Sequence, residues 1–225
     1  MKGRPLWVVC AVLMMVSASF ATPTIVNHDF GAVPIVCGQG YSYQAFGGDC
    51  TGPLVPQQGW SGTPGFGWNL ALYGDGLTGP NTTFNPPSFG ALPFSQAVFL
   101  QGISWAFQDV GGFTAGNYVL SFYLGSRYYS GPFDGNQTVK ALIDGNVIGT
   151  WTLTSFTPFA LENAAFTVST GGSHRLEFDG MNLGDHTAFV SDVSITTATP
   201  EPSSLMLFST AGLGIAGILR RKFNL

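Results

Sequence analysis

Charge is scarce in this chain: 9% of its 225 residues are Asp, Glu, Lys or Arg. Cations are scarcer than anions. Five of the eight Lys and Arg residues (Lys2, Arg4, Arg220, Arg221 and Lys222) sit at the two ends, leaving Arg127, Lys140 and Arg175 between Thr22 and Thr199. Against the eleven acidic residues of that span, these three leave a net charge of −8. Such a surface repels nucleic acid and suits neutral glycans or divalent cations. The three histidines, His28, His174 and His186, have no obvious serine or cysteine partner, and neither Gly-x-Ser-x-Gly nor Cys-x-x-Cys occurs. Nucleophilic catalysis and a zinc ribbon therefore find no support, and the expectation is a non-enzyme. Between the two ends there is no convincing helical period either.

Apolar and small residues take the place of charge, beginning at the termini. Lys2 and Arg4 precede an apolar run over residues 6–16, and Ser19-Phe20-Ala21 follows as a cleavage site of the Ala-x-Ala type. This predicts a signal peptide over residues 1–21 and an exported protein. At the other end, Pro200-Glu201-Pro202 is followed by seventeen uncharged residues, 203–219, and then by Arg220-Arg221-Lys222. As a helix the run would extend about 25 Å, enough to cross a slightly thinned bilayer. The basic cluster would be held on the cytoplasmic side. Residues 198–225 are thus read as a tail with a transmembrane helix.

Cys10 leaves with the signal peptide, so export predicts a disulfide between Cys37 and Cys50. Residues 31–93 contain fourteen Gly and eight Pro, too many for helices or long strands, together with many aromatic residues. The reading is folded loops with a few short strands, the best at 69–73. Beyond residue 95 the period becomes two. Strands are expected at 96–100 and 103–108 as a pair around Gln101-Gly102, and at 117–126 with Tyr118, Leu120, Phe122 and Leu124 on one face. Residues 137–144 place Val139, Ala141 and Ile143 inward, and Asp144-Gly145-Asn146 turns the chain into 147–153. A second pair is expected at 164–169 and 173–179 across Thr170-Gly171-Gly172, and a last strand at 187–195, with Ser191 interrupting its apolar stripe. Short alternating strands without helices predict one all-β domain over residues 22–197, an antiparallel β-sandwich.

Two resemblances follow from these residues. The segment from Thr199 to Leu225 resembles the PEP-CTERM sorting signal of exopolysaccharide-producing bacteria. That resemblance implies recognition of Pro200, Glu201 and Pro202 by an exosortase, with Arg220, Arg221 and Lys222 as stop-transfer charges. The protein would end either anchored in the inner membrane with a periplasmic domain, or at the cell surface after processing. The opening Asn27-His28-Asp29-Phe30, together with FTAGNYVLSFYLGSR, VKALIDGNVIGTW and HRLEFDG through FVSDVSI, resembles the galactose-binding-like jelly-roll modules. This second likeness implies a structural calcium on Asn27, Asp29 and Asp192, although Gly31 stands where those modules usually supply a glutamate. No other cofactor is expected.

Glycan binding needs aromatic rings at a strand end with polar groups beside them. Arg127, Tyr128 and Tyr129 meet that description, and Trp68 is a further candidate. The expected function is a non-catalytic module for exopolysaccharide or envelope glycans. The alternatives are a secreted carbohydrate-active hydrolase using Glu177 and Asp179, and a structural biofilm-matrix protein.

Overall fold

A computed structural model describes residues 22–32, 35, 41–43, 65–71, 73–79, 82, 93–127 and 136–198. Residues 1–21, Cys37, Cys50, Tyr128, Tyr129 and the residues from Thr199 onward lie outside the described residues, so the expected signal peptide, disulfide and transmembrane helix fall outside them too. Eleven strands are described: β1 (Tyr41–Tyr43), β2 (Asn69–Leu70), β3 (Asp75–Thr78), β4 (Ala97–Gln101), β5 (Ser104–Phe113), β6 (Gly116–Ser126), β7 (Thr138–Ile143), β8 (Asn146–Thr152), β9 (Ala160–Val168), β10 (Gly172–Gly180) and β11 (Thr187–Thr197). They form two antiparallel sheets, ordered β1-β3-β4-β11-β6-β9 and β2-β5-β10-β7-β8. The fold is an all-β sandwich in which successive described strands alternate between the two sheets, except that β4 follows β3 and β8 follows β7 within one sheet.

The alternation on β6 and β7 sorts as its period requires. Tyr118, Leu120, Phe122 and Leu124 are buried, as are Val139, Ala141 and Ile143. The β7–β8 hairpin closes through Asp144 (φ 49°) and Gly145 (φ 77°), the two positive φ values of a type I′ turn. Aromatic rings run through the core in sequence: Phe30 to Trp68 at 5.0 Å, Trp68 to Phe178 at 6.2 Å, Phe178 to Phe122 at 4.9 Å and Phe122 to Trp151 at 5.0 Å. Trp151 can reach that row because its ring folds over Gly149, where a Cβ would lie 2.2 Å from it.

Two expected pairings are corrected. Residues 96–100 and 103–108 do not form a hairpin: β4 lies in the six-stranded sheet between β3 and β11, while β5 lies in the other beside β2 and β10. Likewise β9 pairs with β6, whereas β10 pairs with β5 and β7. Gly102 and Gly172 both have positive φ, but they serve connections that cross between sheets. The Ser191 interruption on β11 also has a structural cause. A bulge between Ser191 and Ser194, with Asp192 at φ 50°, adds one residue and switches the phase. Val190, Val193 and Ile195 therefore face the main core. Phe189 faces outward, into a satellite cluster with Phe94, Ala97, Phe99, Phe159 and Tyr123.

The sandwich has a distinct top and base. At the base, Thr24 N–H donates to Gly111 O, and Ala198 N–H donates to Asn117 O. The chain therefore enters and leaves the sandwich at the same end. At the top, the fully buried Gln137 ties three segments together. Its Nε2 donates to Gly102 O and His186 O (both 2.9 Å), and its Oε1 accepts from the N–H groups of Thr138, Met181 and Asn182 (3.0, 3.1 and 2.8 Å). A leucine of similar length could satisfy none of these groups. Gln137→Leu is expected to lower stability by about 3 kcal/mol or more, read by chemical denaturation.

Candidate functional site

The outer face of the six-stranded sheet is partly covered by the satellite cluster around Phe99 and Phe189. The outer face of the five-stranded sheet presents a different surface. Period-two alternation on β5 sends Ala106, Gln108 and Val110 inward and Trp105, Phe107 and Asp109 outward. On β10 it sends Leu176 and Phe178 inward and Arg175, Glu177 and Asp179 outward. The register sets these side chains opposite one another: Trp105 with Asp179, Phe107 with Glu177, and Asp109 with Arg175. Lys140 of β7 lies on the far side of Asp179, and Asn69 of β2 lies beside Phe107. Strand spacing and rise give this block a size of about 14 Å by 14 Å.

Trp105 is 39% exposed. Its ring lies 5.2 Å from that of Phe107, tilted by 33°. The Arg175 guanidinium sits 3.8 Å from the Phe107 centroid, while its Nε donates to Asp109 Oδ1 at 3.0 Å. Phe107 is thereby fixed from two sides and supports Trp105 as an open ring. Glu177 and Asp179 hydrogen-bond to each other. Burial raises the Glu177 carboxyl above its ordinary value, and the Asp179 charge adds to that. Burial also raises Asp179, opposed by Lys140. The result is an apolar ring bordered by a hydrogen-bonding carboxyl pair, a lysine and an amide.

Beneath the Trp105 end lies a fully buried carboxyl, Asp75, whose Oδ2 accepts the Ala71 N–H at 2.9 Å. Burial pushes it well above the usual carboxylate range, against the hydrogen bond from Ala71. The folded protein thus keeps a proton that the unfolded chain gives up near pH 4. Stability is therefore lost as pH rises from that value towards the folded one. Asp75→Asn is expected to flatten this slope and stabilise the protein at neutral pH, by about 1.4 kcal/mol for each pH unit of the shift. Denaturant titrations across pH 4–8 would measure it.

Trp68, Arg127, Asn27, Asp29 and Asp192 are placed elsewhere. Trp68 is 1% exposed, and its Nε1 donates to Asn27 O at 3.2 Å. It is a core residue, which corrects its reading as a glycan platform. Arg127 follows β6 at the top, where its Nη1 meets Asp185 at 2.9 Å and its backbone bonds Thr187 and Phe156. It braces loops at the top of the sandwich. Asn27, Asp29 and Asp192 do come near one another where the first segment meets β11, and Val193 N–H donates to His28 O. Several of their oxygens accept hydrogen bonds within the protein. Asn27 Oδ1 accepts from Ala32, Asn27 O from Phe30 and Trp68, and Asp29 Oδ1 from Gly31, while Asp192 Oδ1 pairs with His28. Among the described residues no group of three or more His, Cys, Asp and Glu side chains could hold a metal.

A family model described as the PEP-CTERM protein-sorting motif matches residues 198–222. No curated protein matches the chain. Among solved structures, it is similar to the Stig cyclase Fisc from Fischerella sp. TAU in complex with (3Z)-3-(1-methyl-2-pyrrolidinylidene)-3H-indole, at 13% identity, covering 80% of this chain and 98% of that one with a TM-score of 0.54. A cyclase from Fischerella sp. TAU matches at 14% identity over the same shares, with a TM-score of 0.52. A family 35 carbohydrate binding module from Clostridium thermocellum matches at 14% identity over 58% of this chain and 92% of that one, with a TM-score of 0.41. At such identities the cyclases speak for a shared fold alone. The class defined by fold and motif is a β-sandwich protein carrying the sorting signal of exported, membrane-associated or cell-surface proteins. Among the described residues no helix is long and apolar enough to cross a membrane.

Proposed function

We propose that this is a non-catalytic surface module that binds a polysaccharide of the cell envelope or exopolysaccharide matrix on the outer face of its five-stranded sheet. An exosortase would process it at Pro200-Glu201-Pro202, with Arg220, Arg221 and Lys222 holding the tail. The observation that carries the glycan reading is Trp105, an open indole on an ordered strand, supported by Phe107 and facing Asp179 across the ladder. Sugars offer apolar ring faces and a rim of hydroxyls. Indole takes the first, and Asp179, Lys140 and Asn69 can orient the second. The shortage of charge between the termini favours a neutral polymer over a polyanion.

A hydrolase is the weaker reading. Carboxyls that cleave glycosidic bonds stand about 5 Å or more apart, with the scissile bond between them. Glu177 and Asp179 instead lie within hydrogen-bonding reach of each other, closer than that spacing. Affinity electrophoresis of the full chain through gels containing neutral polysaccharides tests the proposal. Retardation by at least one polymer is expected, and uniform mobility in all of them overturns it.

A further inference from the structure

The four sheet edges are unequal. On one side of the sandwich the edge strands are β1 and β2, three and two residues long, which is a common way of blunting an edge. On the other side they are β8 and β9, seven and nine residues long. β8 has no charged residue. β9 has one, Glu162, and it is turned inward to accept the Trp151 Nε1 hydrogen at 2.8 Å. Neither strand contains proline or lysine, and Val147 and Leu161 are 52% and 55% exposed. Between the two strands opens a cleft of about 450 Å³, lined by Asn146, Val147 and Ile148 on one wall and by residues 165–168 on the other. Such an edge is a template for another chain.

The directions of the two strands select the partner. β8 runs from base to top, and β9 from top to base. The sorting motif begins where β11 leaves the sandwich at the base; on the membrane anchoring proposed above, a tail leaving there sets the bases of both copies towards one membrane. Pairing β9 with its own counterpart as antiparallel strands would point one base away from the membrane. A two-fold axis parallel to the strands does not. It sets β8 of each copy against β9 of the other, antiparallel at both joins and with both bases level.

We propose that the protein self-associates as this upright dimer, fusing its sheets into two continuous sheets of eleven strands, six from one copy and five from the other. The Trp151–Glu162 bond fixes the relative heights of β8 and β9, and the two-fold axis preserves height. Thr152 therefore lies opposite the partner's Leu161, and Thr150 opposite the partner's Asn163. The bulge at Ile148 ends the ladder below Gly149. No like charges oppose one another along it, and Leu161 is covered.

The geometry can be tested by crosslinking in native membranes. Full-length chains carrying Thr150→Cys and Asn163→Cys are co-expressed and oxidised. Paired antiparallel residues lie within disulfide reach, whereas outward side chains on the two sheets of one copy, about 10 Å apart, do not. A crosslinked dimer that needs both variants is expected. A band no stronger than that from either single variant overturns the proposal. In mild detergent, Thr152→Lys with Leu161→Lys should weaken dimerisation by at least about tenfold, and Thr152→Lys with Leu161→Glu should restore it. Equal masses for the two double variants also overturn it.

Discussion

Trp105→Ala is expected to lower polysaccharide affinity by at least about thirtyfold while leaving the melting temperature within a few degrees of the parent. The first half follows from the ring's position. A partly open indole at the centre of a recognition face behaves as a binding hot spot, worth about 2 kcal/mol or more on truncation. The second half follows from what the ring does not do. It packs on Phe107 on the outer surface, while Ala106 and Val110 hold β5 to the core. Isothermal titration with the retarding polymer, beside a thermal scan of the same sample, separates the two. Lost affinity with unchanged melting supports the assignment. Unchanged affinity removes Trp105 from the site.

Trp68→Ala should do the opposite. Trp68 touches Phe30 and Phe178, and its indole N–H holds the Asn27 carbonyl. Truncation leaves a cavity between the sheets and unpins the first segment, at a cost of about 3–5 kcal/mol. For a chain of this size each kcal/mol shifts melting by about 2–4 °C, so a loss near 10 °C is expected. Affinity per folded molecule should hold. The two tryptophans thus make a crossed experiment in which each variant moves one readout. If Trp68→Ala abolishes binding at a temperature where the protein is folded, the ligand face has been misplaced.

The sequence made the sandwich legible where alternation was clean and turns were chemically specific. β6 and β7 show one apolar parity, and Asp144-Gly145 supplies the two positive φ values that its turn requires. Other features stayed hidden for physical reasons. Gln101-Gly102 and Thr170-Gly171-Gly172 are as good for crossing between sheets as for closing a hairpin, and local chemistry does not distinguish them. The bulge in β11 puts Phe189 and Val193 on opposite faces despite their even spacing. The first residues of β9 carry no alternation because that edge is open on several sides. Nor could the ligand face be read from β5 alone, since both parities are apolar. Trp105 and Phe107 alternate with Ala106 and Val110, and the buried amide among them, Gln108, points inward to hold Val26 through both of its backbone groups. Only the register with Arg175, Glu177 and Asp179, which face outward, shows which set faces solvent. Trp68 and Arg127 drew attention by residue type, and one proves to be core and the other a loop brace.

Tryptophan emission tests the ligand face most directly. The retarding polysaccharide is titrated into the full-length protein and into Trp105→Phe, and the difference spectrum isolates Trp105. A blue shift of that component, with protection from iodide quenching as sites fill, is the predicted result. Saturating polysaccharide with Trp105 still open to iodide would contradict it.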